Sequence, residues 1–273
     1  DIQAKGFLLG AASGRTTLNG EGLQHQDGHS HLLAATVPNL RSYDPTYSYE
    51  VAVIVQHGLK QMYDENQNVF YYITLMNENY PHPDCPDGVE DHIIKGMYRL
   101  KAAPGKGKLH VRLLGSGTIL REVEAAQEML AEFGVDAEVY SATSFNELRR
   151  DGQSVARYNL LHPNAKAPRK SHVETLLGDS TAPVIAATDY MQLYAEQIRP
   201  YLGSTTYVTL GTDGFGRSDS RKKLREHFEV DRRFVTIAAL RALMMEGQLD
   251  AKVVMKAIQD FGIDPDRRDP VTL

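Results

Sequence analysis

Two hydrophobic periods alternate along this chain. Phe7–Ala12 is a short apolar run, the mark of a buried strand, and it enters a stretch broken by glycines. His31–Val37 has room for a helical turn before Pro38, which cannot continue a helix. Tyr47, Val51, Ile54, Val55, Leu59 and Met62 then draw one apolar stripe at helical spacing. Val69–Leu75 is β-branched and aromatic, which predicts a strand. Asn77–Gly88 gathers Pro81, Pro83 and Pro86 among polar residues and predicts a loop.

Periodicity stops over Lys101–Lys108, a short, basic, flexible run, so a domain boundary is expected between residues 1–104 and 105–273. Beyond it, strands are predicted at Leu109–Leu114, Glu138–Ala142, Pro183–Ala187 and Tyr207–Leu210. Helices are predicted between them: from Ile119 to Phe133 with Gly134 as the stop, from Ser144 with Glu147 completing a capping box, and after Asp189–Gln192 as a cap. Two more are bracketed by Asp231 and Gly247 and by Asp250 and Gly262. Such alternation argues for an α/β chain with a mostly parallel, helix-covered sheet.

At 273 residues there is room for two domains, and 42% hydrophobic with 24% charged residues is ordinary for a globular protein. A net charge of -5 offers no basic footprint for nucleic acid. No apolar run reaches membrane-spanning length, since Val51–Val55 is soon followed by Gln56 and His57. The opening residues carry no signal-peptide pattern, and the single cysteine, Cys85, excludes an internal disulfide framework. A reducing, cytoplasmic setting is therefore expected. A strand pattern that starts almost at once, with no initiating methionine, reads as an excised piece of something longer.

The densest chemistry lies in Gly14-Arg-Thr-Thr-Leu-Asn-Gly-Glu21-Gly-Leu-Gln24-His25-Gln-Asp27-Gly-His29-Ser-His31. Glycines let this loop bend, and three imidazoles with two carboxylates suit proton handling. Three accounts of it stay open at this point. His25, Asp27, His29 and His31 are competent metal ligands, though the glycines argue against the helical pair of histidines that zinc sites use. Glu21 and His25 can instead do acid–base or electrostatic work on an anionic substrate. The plainest account is a loop whose imidazoles hydrogen-bond backbone carbonyls. Gly115-Ser-Gly117 opens like a phosphate cradle but lacks the third glycine, and a tight strand-to-helix turn explains it better. Gly211–Asp219 places Asp213, Arg217 and Asp219 at a strand's end, where Arg217 could hold a carboxylate or phosphate, but an Asp–Arg pair that fixes the loop, or a surface that docks a partner chain, explains it better. Tyr71, Tyr72, Asn77, Glu78, Asn79 and Tyr80 form a polar-aromatic cluster after a strand, while Cys85 lies among prolines as an incidental residue.

The histidine loop closely resembles that of the homodimeric, thiamin-diphosphate-dependent pyruvate dehydrogenases, the decarboxylating first component of bacterial pyruvate dehydrogenase complexes. The likeness extends through Ser42–Glu50, Tyr71–Thr74, Asn77–Tyr80, Tyr140–Phe145, Arg150–Gly152 and Gly211–Ser220, and so covers essentially the whole chain. The wider transketolase superfamily has a shorter loop at the matching place. The resemblance implies part of a transketolase-type pyrimidine-binding domain followed by a transketolase-like C-terminal domain. It implies decarboxylation of pyruvate, with thiamin diphosphate as electron sink, and transfer of the two-carbon unit to a lipoyl group on the dihydrolipoyl acetyltransferase component. It assigns His25 to substrate orientation and to stabilising an oxyanion or carboxylate, and Glu21 and Gln24 to substrate contact. Asp27, His29 and His31 would shape the loop. The Gly-Asp-Gly…Asn motif that holds magnesium and diphosphate is absent from these residues, as is the glutamate that activates the cofactor. Thiamin diphosphate and magnesium would therefore be bound mainly by parts missing from this chain, which alone is expected to be inactive. The rival expectation is a non-catalytic dimerisation or complex-assembly module.

Overall fold

The computed structural model describes residues 2–11 and 13–273. The chain builds two sheets in succession. In the first, β1 (Phe7–Ala11), β2 (Leu40–Tyr43) and β3 (Phe70–Leu75) run parallel in the order β1-β3-β2. Ala12, read above as the end of β1, lies outside the described residues. Three helices accompany this sheet: α1 (Ser30–Ala34), α2 (Ser48–Leu59) and α3 (Glu90–Lys95). The α2 stripe does its predicted work. Ile54 and Met62 are fully buried against Tyr43, Tyr71 and Ile73. Beyond Leu59 the backbone widens into a π-turn, Lys60–Asp64.

The second sheet holds β4 (Tyr98–Lys101), β5 (Leu109–Gly115), β6 (Val135–Ser141), β7 (Val184–Ala187) and β8 (Tyr207–Leu210), in the order β4-β6-β5-β7-β8. All its pairings are parallel except that of the edge strand β4 with β6. Its helices are α4 (Leu120–Glu132), α5 (Phe145–Leu161), α6 (His172–Leu177), α7 (Leu193–Glu196), α8 (Arg221–His227), α9 (Arg232–Met245) and α10 (Ala251–Asp260). Side chains alternate faces along each strand. Val111 and Leu113 of β5 enter one core with α4 and α9, and Leu114 enters the opposite core with α5, α6 and α7. Both faces are covered, as a parallel sheet requires.

Three expectations change in detail. The flexible run near 101–108 is the β4–β5 connection within the second sheet, so a cut at 104/105 falls inside that sheet. Strand β6 starts at Val135, three residues before the predicted start at Glu138, because Gly134 ends α4 and the chain turns directly into the sheet. Asp189 does not cap a helix. Gln192 holds the N-cap position of α7 and makes no side-chain cap bond. The Asp189 carboxyl is instead buried beneath the histidine loop.

Candidate active site

Strand β1 delivers the chain into the histidine loop, and the C-terminal ends of β7 and β8 supply the floor. Arg15 is the strut between them. It is 3% exposed and donates through Nη1 to the carbonyls of Thr212 (2.7 Å) and Gly214. Thr17 Oγ1 donates to Ser13 O at 2.6 Å, closing the loop's first turn. Further along, Arg217 N donates to Gln26 Oε1 at 2.7 Å, Gln26 Nε2 donates back to Arg217 O, and Gly20 N donates to Asp219 O at 2.9 Å. Met191 N donates to Gly28 O at 3.1 Å. The 211–219 segment thus clasps the histidine loop along its length. Asp213 turns inward too, accepting from Gln192 N at 2.9 Å.

The predicted residues separate into three groups. Glu21, Gln24 and His25 stand exposed at the tip, around the short 3₁₀ turn Leu23–His25, and their side chains have no hydrogen-bond partner among the described residues. Asp27 secures the loop's exit: Oδ1 accepts from His29 N (3.0 Å) and Ser30 N (2.9 Å) at the start of α1, and Oδ2 accepts from Ser30 Oγ. His29 is exposed, with Nε2 3.4 Å from Arg15 Nη2. His31 leaves the cluster altogether. It is fully buried between Ser42 Oγ (3.3 Å) and Thr74 Oγ1 (3.1 Å), stacked on Tyr194 with 4.8 Å between ring centroids and edge-on to Tyr190. Burial pushes its pKa down to about 3, so it is a neutral imidazole. The start of α1 at Ser30 is the cause: it turns residue 31 inward while residue 29 still faces water.

Sequence reasoning missed the groups under the loop. Asp44 and Asp189 are both 2% exposed. Asp44 accepts from Thr74 Oγ1 and Ser116 Oγ, each at 2.7 Å. Gly117 sits against it with φ +50, and a Cβ there would lie 2.6 Å from Asp44 Oδ2, so the Gly115–Gly117 turn requires glycine. Asp189 Oδ2 accepts from Thr16 N at 3.1 Å, and a Cβ on Gly14, at φ +86, would lie 2.2 Å from that oxygen. Burial raises both carboxyls to about pKa 7, against hydrogen bonds from Ser116 and Thr74 at Asp44 and against the Arg225 charge and Thr16 at Asp189. The Asp-Pro turn at Asp44 and the strand-end position of Asp189 were the available signals.

A stability prediction follows from Asp189. Its folded value of about 7 lies above the ordinary aspartate value of 3.8, so between those values the folded state holds the extra proton. Its contribution is present at low pH and is lost as pH rises towards and through 7. Replacing Asp189 by asparagine should therefore flatten the fall. The urea midpoint of Asp189→Asn, relative to wild type, should rise between about pH 5 and about pH 8. An unchanged difference at the two pH values would contradict the buried-carboxyl account.

Two family profiles match the chain: the pyruvate dehydrogenase E1 component middle domain over residues 1–83, and the transketolase-like C-terminal domain over residues 96–231. The pyruvate dehydrogenase E1 component of Pseudomonas aeruginosa is 61% identical over 272 residues, covering 99% of this chain and 31% of the relative. That of Escherichia coli K12 is 56% identical over 273 residues, covering 99% of this chain and 30% of the relative. The chain thus spans about 30% of the length of the curated relatives it matches. In structure, a transketolase mutant from Pichia stipitis superposes with a TM-score of 0.66 at 15% identity, over 89% of this chain and 31% of that one. A split gene transketolase, solved as an inactive beta4 tetramer, superposes with a TM-score of 0.58 at 16% identity, over 87% of this chain and 67% of that one. A fold of two successive sheets, a clasped glycine-rich loop and near-complete coverage by these relatives agree. The chain belongs to the pyruvate dehydrogenase E1 component family and has the transketolase-like fold.

Proposed function

We propose that this chain supplies one wall of the pyruvate site of a thiamin-diphosphate-dependent pyruvate dehydrogenase. The observation that carries the reading is the contrast within one loop. Its backbone is pinned by Arg15, Gln26 and Asp27, yet His25 stands out at the tip with its imidazole unspent. A side chain held on a fixed backbone and left without an internal partner is arranged to meet something else. Beside a 2-keto acid, an imidazole N–H donor suits the carboxylate or the oxygen on which negative charge develops. Glu21 and Gln24 flank it as polar contacts that orient the substrate. The acetyl product would pass to the lipoyl group of the dihydrolipoyl acetyltransferase component, and the working enzyme would be a cytoplasmic homodimer.

The residues present do not fit the magnesium and diphosphate of the cofactor. Among the described residues no three of His, Cys, Asp and Glu come together to hold a metal. Asp213, on the glycine-rich 211–219 turn, is committed to Gln192 N. In this reading the cofactor is held by other parts of the enzyme, and residues 1–273 alone do not turn over. Supplied with thiamin diphosphate, magnesium and pyruvate, the purified chain is expected to release no carbon dioxide above the protein-free rate. Sustained cofactor-dependent release by the chain alone would overturn this.

A further inference from the structure

A cleft of about 600 Å³ opens where the segment after β3 meets α4, α8 and α9, and Glu21, Gln24 and His25 are not among the residues that line it. Its volume is in the range of small-molecule sites. The walls come from four places: Glu78 after β3, Glu122 on α4, the face of α8, and the first turn of α9. The lining is almost wholly charged. Arg221, Lys222, Arg225, Arg232 and Arg233 face three carboxylates, those of Glu78, Glu122 and Asp231, which leaves an excess of two positive charges.

The carboxylates are already spent inside the protein. Glu78 accepts from Arg225 Nη2, from Arg121 Nη1 (2.9 Å) and from Thr118 Oγ1 (3.0 Å). Glu122 takes Arg232 Nε at 2.8 Å and lies 3.5 Å from Arg225 Nη1. Burial opposes ionisation of both, but the arginine contacts outweigh it and hold each below the ordinary glutamate value. Asp231 caps α9 and pairs with Arg233 Nη2 at 2.6 Å. The cations are not spent to the same degree. Among the described residues, Lys222 Nζ has no acceptor, and neither do Arg221 Nη1 or Arg232 Nη1. The guanidinium of Arg221 is fixed by its own bonds to Thr17 O (2.6 Å) and Asn77 O, and that of Arg232 by Glu122. Three donors on three side chains, two of them preorganised, thus border a cleft with surplus positive charge.

We propose that this cleft binds a phosphate-bearing anion carrying at least two negative charges. Guanidinium forks match phosphate oxygens, and a lining drawn from charged residues alone, with no aromatic side chain in it, argues for a compact, highly charged ligand over a large aromatic one. The site stands independently of the pyruvate reading, since none of its lining residues belongs to the exposed tip around His25.

The test is calorimetric titration of the 273-residue chain with inorganic pyrophosphate at low ionic strength, on wild type and on Lys222→Glu. Lys222 is exposed and unpaired, so its reversal leaves the internal ion pairs in place. Saturable binding is expected, weakening as salt is raised and falling about tenfold or more in Lys222→Glu. Arg232→Gln should weaken binding as well, with a circular dichroism melt to establish that the variant is folded. No saturable binding by the wild-type chain would overturn the proposal, and so would equal affinity in Lys222→Glu.

Discussion

Replacing His25 by alanine in the full-length enzyme that carries these residues should cut kcat/KM for pyruvate by about 10²–10³, the usual loss when one donor to developing negative charge is removed. The loss should fall mainly on kcat if the imidazole acts on charge formed during the reaction, and on KM if it only holds the substrate carboxylate. Dimerisation and thermal stability should not move, because the His25 side chain is exposed and has no hydrogen-bond partner among the described residues. That combination separates the pyruvate-site reading from an assembly module, for which the same change would leave turnover intact. Steady-state kinetics beside analytical ultracentrifugation would read both.

The largest stability effect is expected at Glu50. This carboxylate is 0% exposed and accepts four hydrogen bonds. Oε2 takes Thr46 N at 2.5 Å and Tyr47 N at 2.9 Å. Oε1 takes Tyr98 OH at 2.7 Å and Ser141 Oγ at 2.6 Å. The first two donors open α2 beside the first sheet, and the last two lie on β4 and β6 of the second. One side chain therefore ties the two sheets together. Glu50→Ala leaves three buried donors, Thr46 N, Tyr47 N and Ser141 Oγ, without an acceptor, leaves Tyr98 OH with Tyr49 OH alone, and opens a cavity, and should cost about 3–5 kcal/mol in urea unfolding. Glu50→Gln keeps the shape but turns an amide N–H₂ towards donors, and should cost about 1–3 kcal/mol. A loss below about 1 kcal/mol for Glu50→Ala would mean that the network is not intact in solution.

The parts of the fold that were legible are those where one periodic signal runs long enough to stand out. The α2 stripe, the Ile119–Phe133 stripe of α4 and the Asp- and Gly-bracketed α9 and α10 are examples. Strands β2 (Leu-Arg-Ser-Tyr) and β4 (Tyr-Arg-Leu-Lys) escaped because arginine, serine and lysine break up their apolar signal, where the equally short β7 and β8 are β-branched and apolar, and α3, α6 and α8 escaped because six or seven residues make fewer than two turns. At the site, glycines and titratable residues marked the loop, but local spacing could not show which way each side chain turns. His29 and His31 are two residues apart, yet one is exposed and the other lies in an aromatic box. The partners of Arg15, at Thr212 and Gly214, lie 197 and 199 residues away and leave no local trace. Asp44, Glu50 and Asp189 look like ordinary surface or cap residues in sequence. Tertiary burial alone makes them structural.

The most direct test of the central claim is a structure of the full-length protein with thiamin diphosphate and a non-reacting pyruvate analogue bound. A His25 ring nitrogen should lie within hydrogen-bond reach, about 3 Å, of the analogue's carboxylate or carbonyl oxygen. A His25 ring turned to bulk solvent, far from the cofactor cavity, would contradict the account.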